Sequence, residues 1–187
     1  MKKIKNALGS LSIENLVVYF TLYSVIGWLY EVFLEVVIYR WGFSNRGVLF
    51  GPYTPVYGFG ALAFLFLVYP LIQGKPLKKR LLLMPAAFIL CTLIATAIEL
   101  ATSYILELII GSWPWQTYAD YAINFQARIA LSPSVRFGIG GILFLYLLQP
   151  AFENLCEKLG PKKVKIIAYV FLVMFAVDCI LTLIIRH

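Results

Sequence analysis

Apolar runs at about residues 16–39, 55–72, 81–110, 135–152 and 164–185 divide the chain, with polar or Gly/Pro-rich stretches between them. An α-helix of about 20 apolar residues crosses a hydrocarbon core of about 30 Å, and these runs match that length. A closed β-barrel would need strands of about ten residues alternating polar and apolar, and these continuous runs do not alternate. The pattern predicts an all-α polytopic membrane helix bundle with five transmembrane helices, forming a single transmembrane domain over 1–187. The third run is long enough to tilt or to project past the membrane.

The lysines orient this bundle. All ten fall in three clusters: Lys2, Lys3 and Lys5; Lys75, Lys78 and Lys79 beside Arg80; and Lys158, Lys162, Lys163 and Lys165. Two runs fit between consecutive clusters, and cytoplasmic loops carry the Lys/Arg excess, so all three clusters are expected inside. The amino terminus is then inside and the carboxyl terminus outside. The basic residues left for the outer side are Arg40, Arg46, Arg128, Arg136 and Arg186, all arginines.

Composition agrees. The chain is 61% hydrophobic and 13% charged, beyond what a soluble domain of this size carries. Its net charge of +7 sits beside the ends of apolar runs. That placement fits orientation and contact with anionic lipid, and argues against a nucleic-acid partner. The first run is too long for a signal peptide's apolar region and has no small-residue cleavage site, so it is expected to stay as the first span. Cys91, Cys156 and Cys179 show no metal spacing, and the one histidine is His187. No metal site and no cofactor is expected.

The inner connections, 73–80 and about 154–163, are short. The outer ones, 40–54 and 111–134, are long and irregular. The second carries Trp113, Trp115, Tyr118 and Tyr121, residues at home at headgroup level, so part of it is expected along the outer interface. The halves also resemble each other. Glu31, Arg46, Pro52 and Gly58-Phe-Gly60 are followed by Glu99, Arg128, Pro133 and Gly138-Ile-Gly140-Gly141. This succession suggests parallel repeats over 15–73 and 81–153, related by an axis along the membrane normal, plus an additional helix over 163–187.

The unusual chemistry is acidic. Glu31 and Glu35 share one helix face. Glu99 lies on a seam with Thr92, Thr96, Ser103 and Glu107 at helical spacing, and Asp178 falls in the last run. A carboxylate in hydrocarbon costs about 2.5–3.5 kcal/mol on insertion scales, so these acids must face the bundle and find partners. Arg46, Arg128 and Arg136 are the nearest cations, and a guanidinium binds carboxylates two oxygens at a time. An acid–arginine cluster under the outer leaflet is therefore expected. It could be ion pairs that pin the loops, a site for an anionic or zwitterionic ligand or a coupled proton, or a catalytic centre. No Ser–His or Cys–His nucleophile is available without an internal histidine, so no catalytic residue is assigned.

The stretch 46–60 is dense in Gly and Pro. Gly51, Pro52, Pro55, Gly58 and Gly60, with Gly138 and Gly140 in the second half, are expected to form a helix-packing or re-entrant element. No Walker phosphate loop is present, since Gly74-Lys75 lacks both the upstream glycine and the following Ser/Thr.

Several of these residues together resemble the putative ABC-transporter type IV permease family, small bacterial multi-pass membrane proteins. The resemblance rests on Tyr23 to Glu31 with Gly27-Trp28 between, and on Asn45-Arg46 to Gly60. Glu99, Thr102-Ser103-Tyr104, Glu107, Trp113, Trp115, Tyr118, Asn124 and Arg128 complete it. It adds Asn124 to the candidate site. It implies a permease subunit in the bacterial inner membrane, working with a separate ATPase. The short basic inner loops leave little room for the coupling helix such a partner usually needs. Two alternatives stay open: a membrane-embedded lipid-headgroup enzyme or carrier, and an accessory or structural subunit. The span set is small for a complete permeation path, so a homo-oligomer or a partner membrane subunit is expected beside the lipid bilayer.

Overall fold

A computed structural model describes residues 12–45 and 47–185. The chain is 79% helical. It divides into two compact units, Met1–Leu62 with Phe152–His187, and Ala63–Ala151.

The first unit begins with α1, Ile13–Phe33, whose entry is capped by the Ser12 hydroxyl accepting the Asn15 N–H at 3.2 Å. The helix widens into a π-helical turn at Leu34–Ile38. An irregular loop follows, and α2, Pro55–Leu67, starts on a proline. Proline suits that place because its missing N–H would have no intrahelical partner there. The unit also holds most of α6, Gln149–Ile185. That helix is continuous except at Gly160, where φ is 75° and ψ is 161°, immediately before Pro161. Glycine tolerates that backbone and proline has no N–H to continue the ladder, so the break is built into the sequence. The expected loop over 154–163 is thus a single break between two long helical stretches. Val18, Tyr19, Tyr23, Cys156, Val164 and Ala168 form the buried core.

The second unit carries the end of α2 and the short α3, Tyr69–Ile72, separated by a turn at Val68. Next comes α4, Leu77–Ile110. At a rise of about 1.5 Å per residue it is about 50 Å long, well beyond a hydrocarbon core. It stops at Gly111, in the left-handed conformation with its N–H on the Glu107 carbonyl at 2.9 Å. A 3₁₀ turn, Gln116–Asp120, leads to a small antiparallel hairpin of β1, Asn124–Phe125, and β2, Ile129–Ala130. Then α5, Leu131–Leu143, runs into a second π-helical turn at Phe144–Leu148. α5 packs on α4, with Gly141 against Cys91, and Ala87, Cys91 and the following Leu145 are buried.

Among the described residues, three stretches are long and apolar enough to cross a membrane: Ile13–Ile38, Leu77–Ile110 and Leu131–Ile185. Their outward faces are hydrocarbon. Leu82 and Leu93 on α4 are 80% and 61% exposed, and Ile166, Val173 and Ile184 on α6 are also bare. An aqueous protein does not leave apolar area on that scale uncovered, which agrees with a bilayer as solvent.

Candidate functional site

Buried carboxylates are the chemical peculiarity of both units. Glu35, Glu99 and Asp178 are 5%, 6% and 7% exposed, all on stretches long enough to span a membrane. Each is held by hydrogen-bond donors from a loop.

In the first unit the loop before α2 folds onto Asp178. Its Oδ1 accepts the Phe50 N–H at 2.9 Å and its Oδ2 the Gly51 N–H at 2.7 Å. The Tyr53 hydroxyl donates to Oδ2, and the Thr182 hydroxyl to Oδ1 at 3.3 Å. Two adjacent amides aimed at one carboxylate form a small anion nest. Gly51 has a steric role here, because a Cβ would strike the ring of Tyr53. Burial, then the hydrogen bond to Asp178 and its charge, push the Tyr53 hydroxyl well above the usual phenol pKa. The same loop is tied to α1 through Ser24, whose carbonyl accepts the Thr54 N–H at 2.9 Å. Asn45 tightens it further, taking the Trp28 indole N–H at 2.8 Å and donating to the Phe50 carbonyl at 2.8 Å. Glu35 lies in the π-helical turn and accepts the Ser44 hydroxyl at 2.7 Å, and Glu31 accepts the Tyr57 hydroxyl.

In the second unit the hairpin brings Arg128 back to α4. Its Nη2 reaches Glu107 Oε2 at 2.5 Å and its Nη1 reaches the Ser103 hydroxyl at 3.4 Å. The guanidinium carbon lies 4.0 Å from the ring centroids of both Tyr104 and Trp113. Aromatic faces attract such a cation most when water is excluded, and Arg128 is only 6% exposed. The indoles also hold the backbone. Trp113 donates to the Ala127 carbonyl at 3.0 Å, and Trp115 to the Arg128 carbonyl at 2.8 Å. The turn that delivers Arg128 is strained, with φ of 53° at Gln126 and 54° at Ala127. The left-handed region costs a non-glycine residue about 1–2 kcal/mol. Glu99 accepts the Tyr118 hydroxyl at 2.8 Å.

The sequence-predicted residues thus divide between the units. Glu31 and Glu35 belong to the first. Glu99, Arg128, Arg136 and Asn124 belong to the second. Arg46 lies outside the described residues. The Arg128 pair is with Glu107, about two helical turns beyond Glu99 on the same seam. Arg136 is exposed and reaches Ser132 at 3.3 Å and Tyr121 at 3.5 Å. Asn124 braces the hairpin, donating to the Tyr121 carbonyl at 2.8 Å and accepting the Ala127 N–H at 3.2 Å. Tyr53, Tyr57, Tyr118, Tyr104 and Trp113 were not among the candidates from sequence, although all but Tyr104, which stands within α4, lie in or beside a loop that follows an acid-bearing helix. Among the described residues, no group of three or more His, Cys, Asp or Glu is placed to hold a metal ion.

The glycines separate by face. A Cβ on Gly58 would meet Ser24 Oγ and the Phe20 ring, and one on Gly138 would meet Thr92 Oγ1 and the Phe88 ring. Gly60 and Gly140 have no atom within 4 Å of that point. Close approach within the chain is thus made at Gly58 and Gly138 and not at Gly60 or Gly140, because residues two apart on a helix point to different sides. The matching is itself informative. Phe20, Ser24 and Glu31 recur as Phe88, Thr92 and Glu99 at one constant spacing along the chain. In both units the hydroxyl residue bonds back to the phenylalanine carbonyl, at 2.7 Å for Ser24 and 2.9 Å for Thr92.

A family model described as putative ABC-transporter type IV matches residues 18–183. No curated protein and no solved structure matches the chain.

Proposed function

Because the chain belongs to the putative ABC-transporter type IV family, we propose that it is a permease-like membrane subunit that works with a separate ATPase. The observation that carries this reading is the trio Glu35, Glu99 and Asp178, buried on membrane-length helices. Ionisable side chains in hydrocarbon are costly and mark ligand or proton pathways when they are kept.

We further propose five crossings in the inner membrane, with the amino terminus inside. The break at Gly160 supports counting Leu131–Ile185 as two spans, and α2 with α3 supplies the remaining one. The lysine clusters support that orientation, under which the loop before α2 and the Arg128 hairpin would each face outward. The repeated Phe–Ser/Thr packing on a glycine, with a Glu seven positions after the hydroxyl residue in both halves, supports a parallel duplication over 15–73 and 81–153 within a single transmembrane domain, with 163–187 as an added helix. Each acid-centred loop is then a candidate place for an anionic or zwitterionic ligand or a coupled proton, with Arg136 as a further cation in the second unit. A homo-oligomer or a partner membrane subunit completes the path.

One observation favours a second reading, that of an accessory subunit. The Phe50, Gly51 and Tyr53 donors on Asp178 and the Arg128 cation on Glu107 come from the chain's own loops, which is how a structural latch is built.

Affinity purification of the tagged full chain from its own membranes tests the proposal. A nucleotide-binding ATPase should co-purify, and its activity in proteoliposomes should rise with the chain present and fall in Glu99→Gln. A chain that purifies without an ATPase and stimulates none supports the accessory reading instead.

A further inference from the structure

The first unit contains a cavity of about 110 Å³ between α1, the loop before α2 and the last helical stretch of α6. Phe20, Thr21, Ser24, Tyr53, Met174 and Phe175 contribute to its wall. Its hydroxyl groups are already committed. Thr21 donates to the Val17 carbonyl at 2.9 Å, Ser24 to the Phe20 carbonyl at 2.7 Å, and Tyr53 to Asp178. A stable buried water needs two to four polar partners, so this wall offers water little.

Phe175 and Phe20 meet edge to face with ring centroids 5.9 Å apart, forming a stiff apolar floor. Met174, 53% exposed, stands at the rim, and Val170 and Val173 beside it are also bare. A thioether chain is unbranched and adapts readily to irregular neighbours. The helices forming two walls lie on stretches of membrane-crossing length, so the medium at the rim is hydrocarbon.

We propose that this cavity is a slot for one acyl chain of a membrane lipid, entering past Met174 and ending against Tyr53. The inference rests on the membrane placement of the chain and not on an ATPase partner. Hydrocarbon gains no hydrophobic free energy on leaving the bilayer, so the slot acts through packing alone. It favours a chain that fits the floor of Phe20 and Phe175. A lipid seated there would lie directly under the loop that Asp178 holds.

The test uses the full chain in nanodiscs made with a phospholipid carrying a photoactivatable diazirine in one acyl chain, followed by peptide mass spectrometry. Phe20, Met174 and Phe175 should be labelled together with the outward Val170 and Val173. In Thr21→Phe, which fills the slot, label on Phe20 and Phe175 should fall at least fivefold while Val170 and Val173 keep theirs. In Met174→Ala, which opens the rim, label on Phe175 should rise. Unlabelled wall residues beside labelled Val170 and Val173 would overturn the slot, whether a second copy of the chain or another side chain covers it. So would wall labelling that neither variant changes. Absence of label from Val170 and Val173 as well would overturn the membrane placement, and the slot with it.

Discussion

Asp178 Oδ2 holds the backbone N–H of Gly51 at 2.7 Å across 127 positions of sequence. The neighbouring Phe50 amide takes the other oxygen, so one carboxylate fixes two consecutive peptide groups. Hydrogen bonds to a charged acceptor contribute about 1.5–3 kcal/mol each when buried. Asp178→Asn keeps one acceptor oxygen and turns an NH2 toward amide donors. It should cost about 2 kcal/mol in detergent unfolding and speed hydrogen exchange at Phe50 and Gly51. Tyr53→Phe removes one donor and should cost about 1 kcal/mol. Unchanged exchange at Gly51 in Asp178→Asn would show that the nest does not hold the loop.

Arg128 is secured by the aromatic rings more than by its ion pair. Glu107 is 43% exposed on its side chain, and solvent-exposed pairs contribute only about 0–1 kcal/mol. Two rings at 4.0 Å from a desolvated guanidinium contribute about 1–2 kcal/mol each. Glu107→Gln should therefore lower stability by less than about 1 kcal/mol, and Trp113→Leu by more. Arg128→Lys should not restore what Arg128→Ala loses, because an ammonium cannot lie flat between two rings. Thermal unfolding of these variants side by side gives the order. An ordering with Glu107→Gln as the most harmful would contradict it.

Ala127 occupies a left-handed turn position that glycine adopts without a Cβ penalty. Ala127→Gly relieves strain but frees the unfolded chain, and relief should win by about 0.5–1 kcal/mol. Ala127→Val should lose more than that, since branching at Cβ aggravates the clash. Both differences are measurable in the same unfolding experiment.

Gly58 and Gly138 are close approaches of their helices, as is Gly141 against Cys91, and Gly60 and Gly140 are not. Alanine at either of the first two must displace a phenylalanine ring and a hydroxyl that bonds its own helix. A cost of about 2 kcal/mol or more is expected, in line with overpacked cores. Alanine at Gly60 or Gly140 should be neutral or slightly stabilising, since it favours the helix. Equal effects at Gly58 and Gly60 would undo this distinction.

The sequence revealed what has a local period. Thr92, Thr96, Glu99, Ser103 and Glu107 lie at helical spacing, and four of the five meet the hairpin, Tyr118 or Ser134 in the folded chain. Thr92 packs at Gly138. The break at Gly160-Pro161 was also written locally, in a glycine followed by a residue with no N–H. Tertiary pairings were not. Nothing near Asp178 indicates that its partners are amides 127 and 128 positions away. The left-handed positions Gln126 and Ala127 are neither glycine nor asparagine, and the local signal is only Asn124, whose side chain accepts the Ala127 N–H. The tyrosines were invisible as partners for a similar reason. A loop hydroxyl finds its carboxylate only once the loop has folded back.

The whole functional account requires that both acid-latched loops lie on one face of the membrane, opposite the lysine clusters. Single cysteines in a cysteine-free chain, probed with a membrane-impermeant maleimide on intact cells, test this directly. Asn45→Cys and Gln126→Cys should label from outside, and Lys75→Cys and Lys158→Cys only after permeabilisation. Labelling of Asn45→Cys and Gln126→Cys from opposite sides would contradict the account.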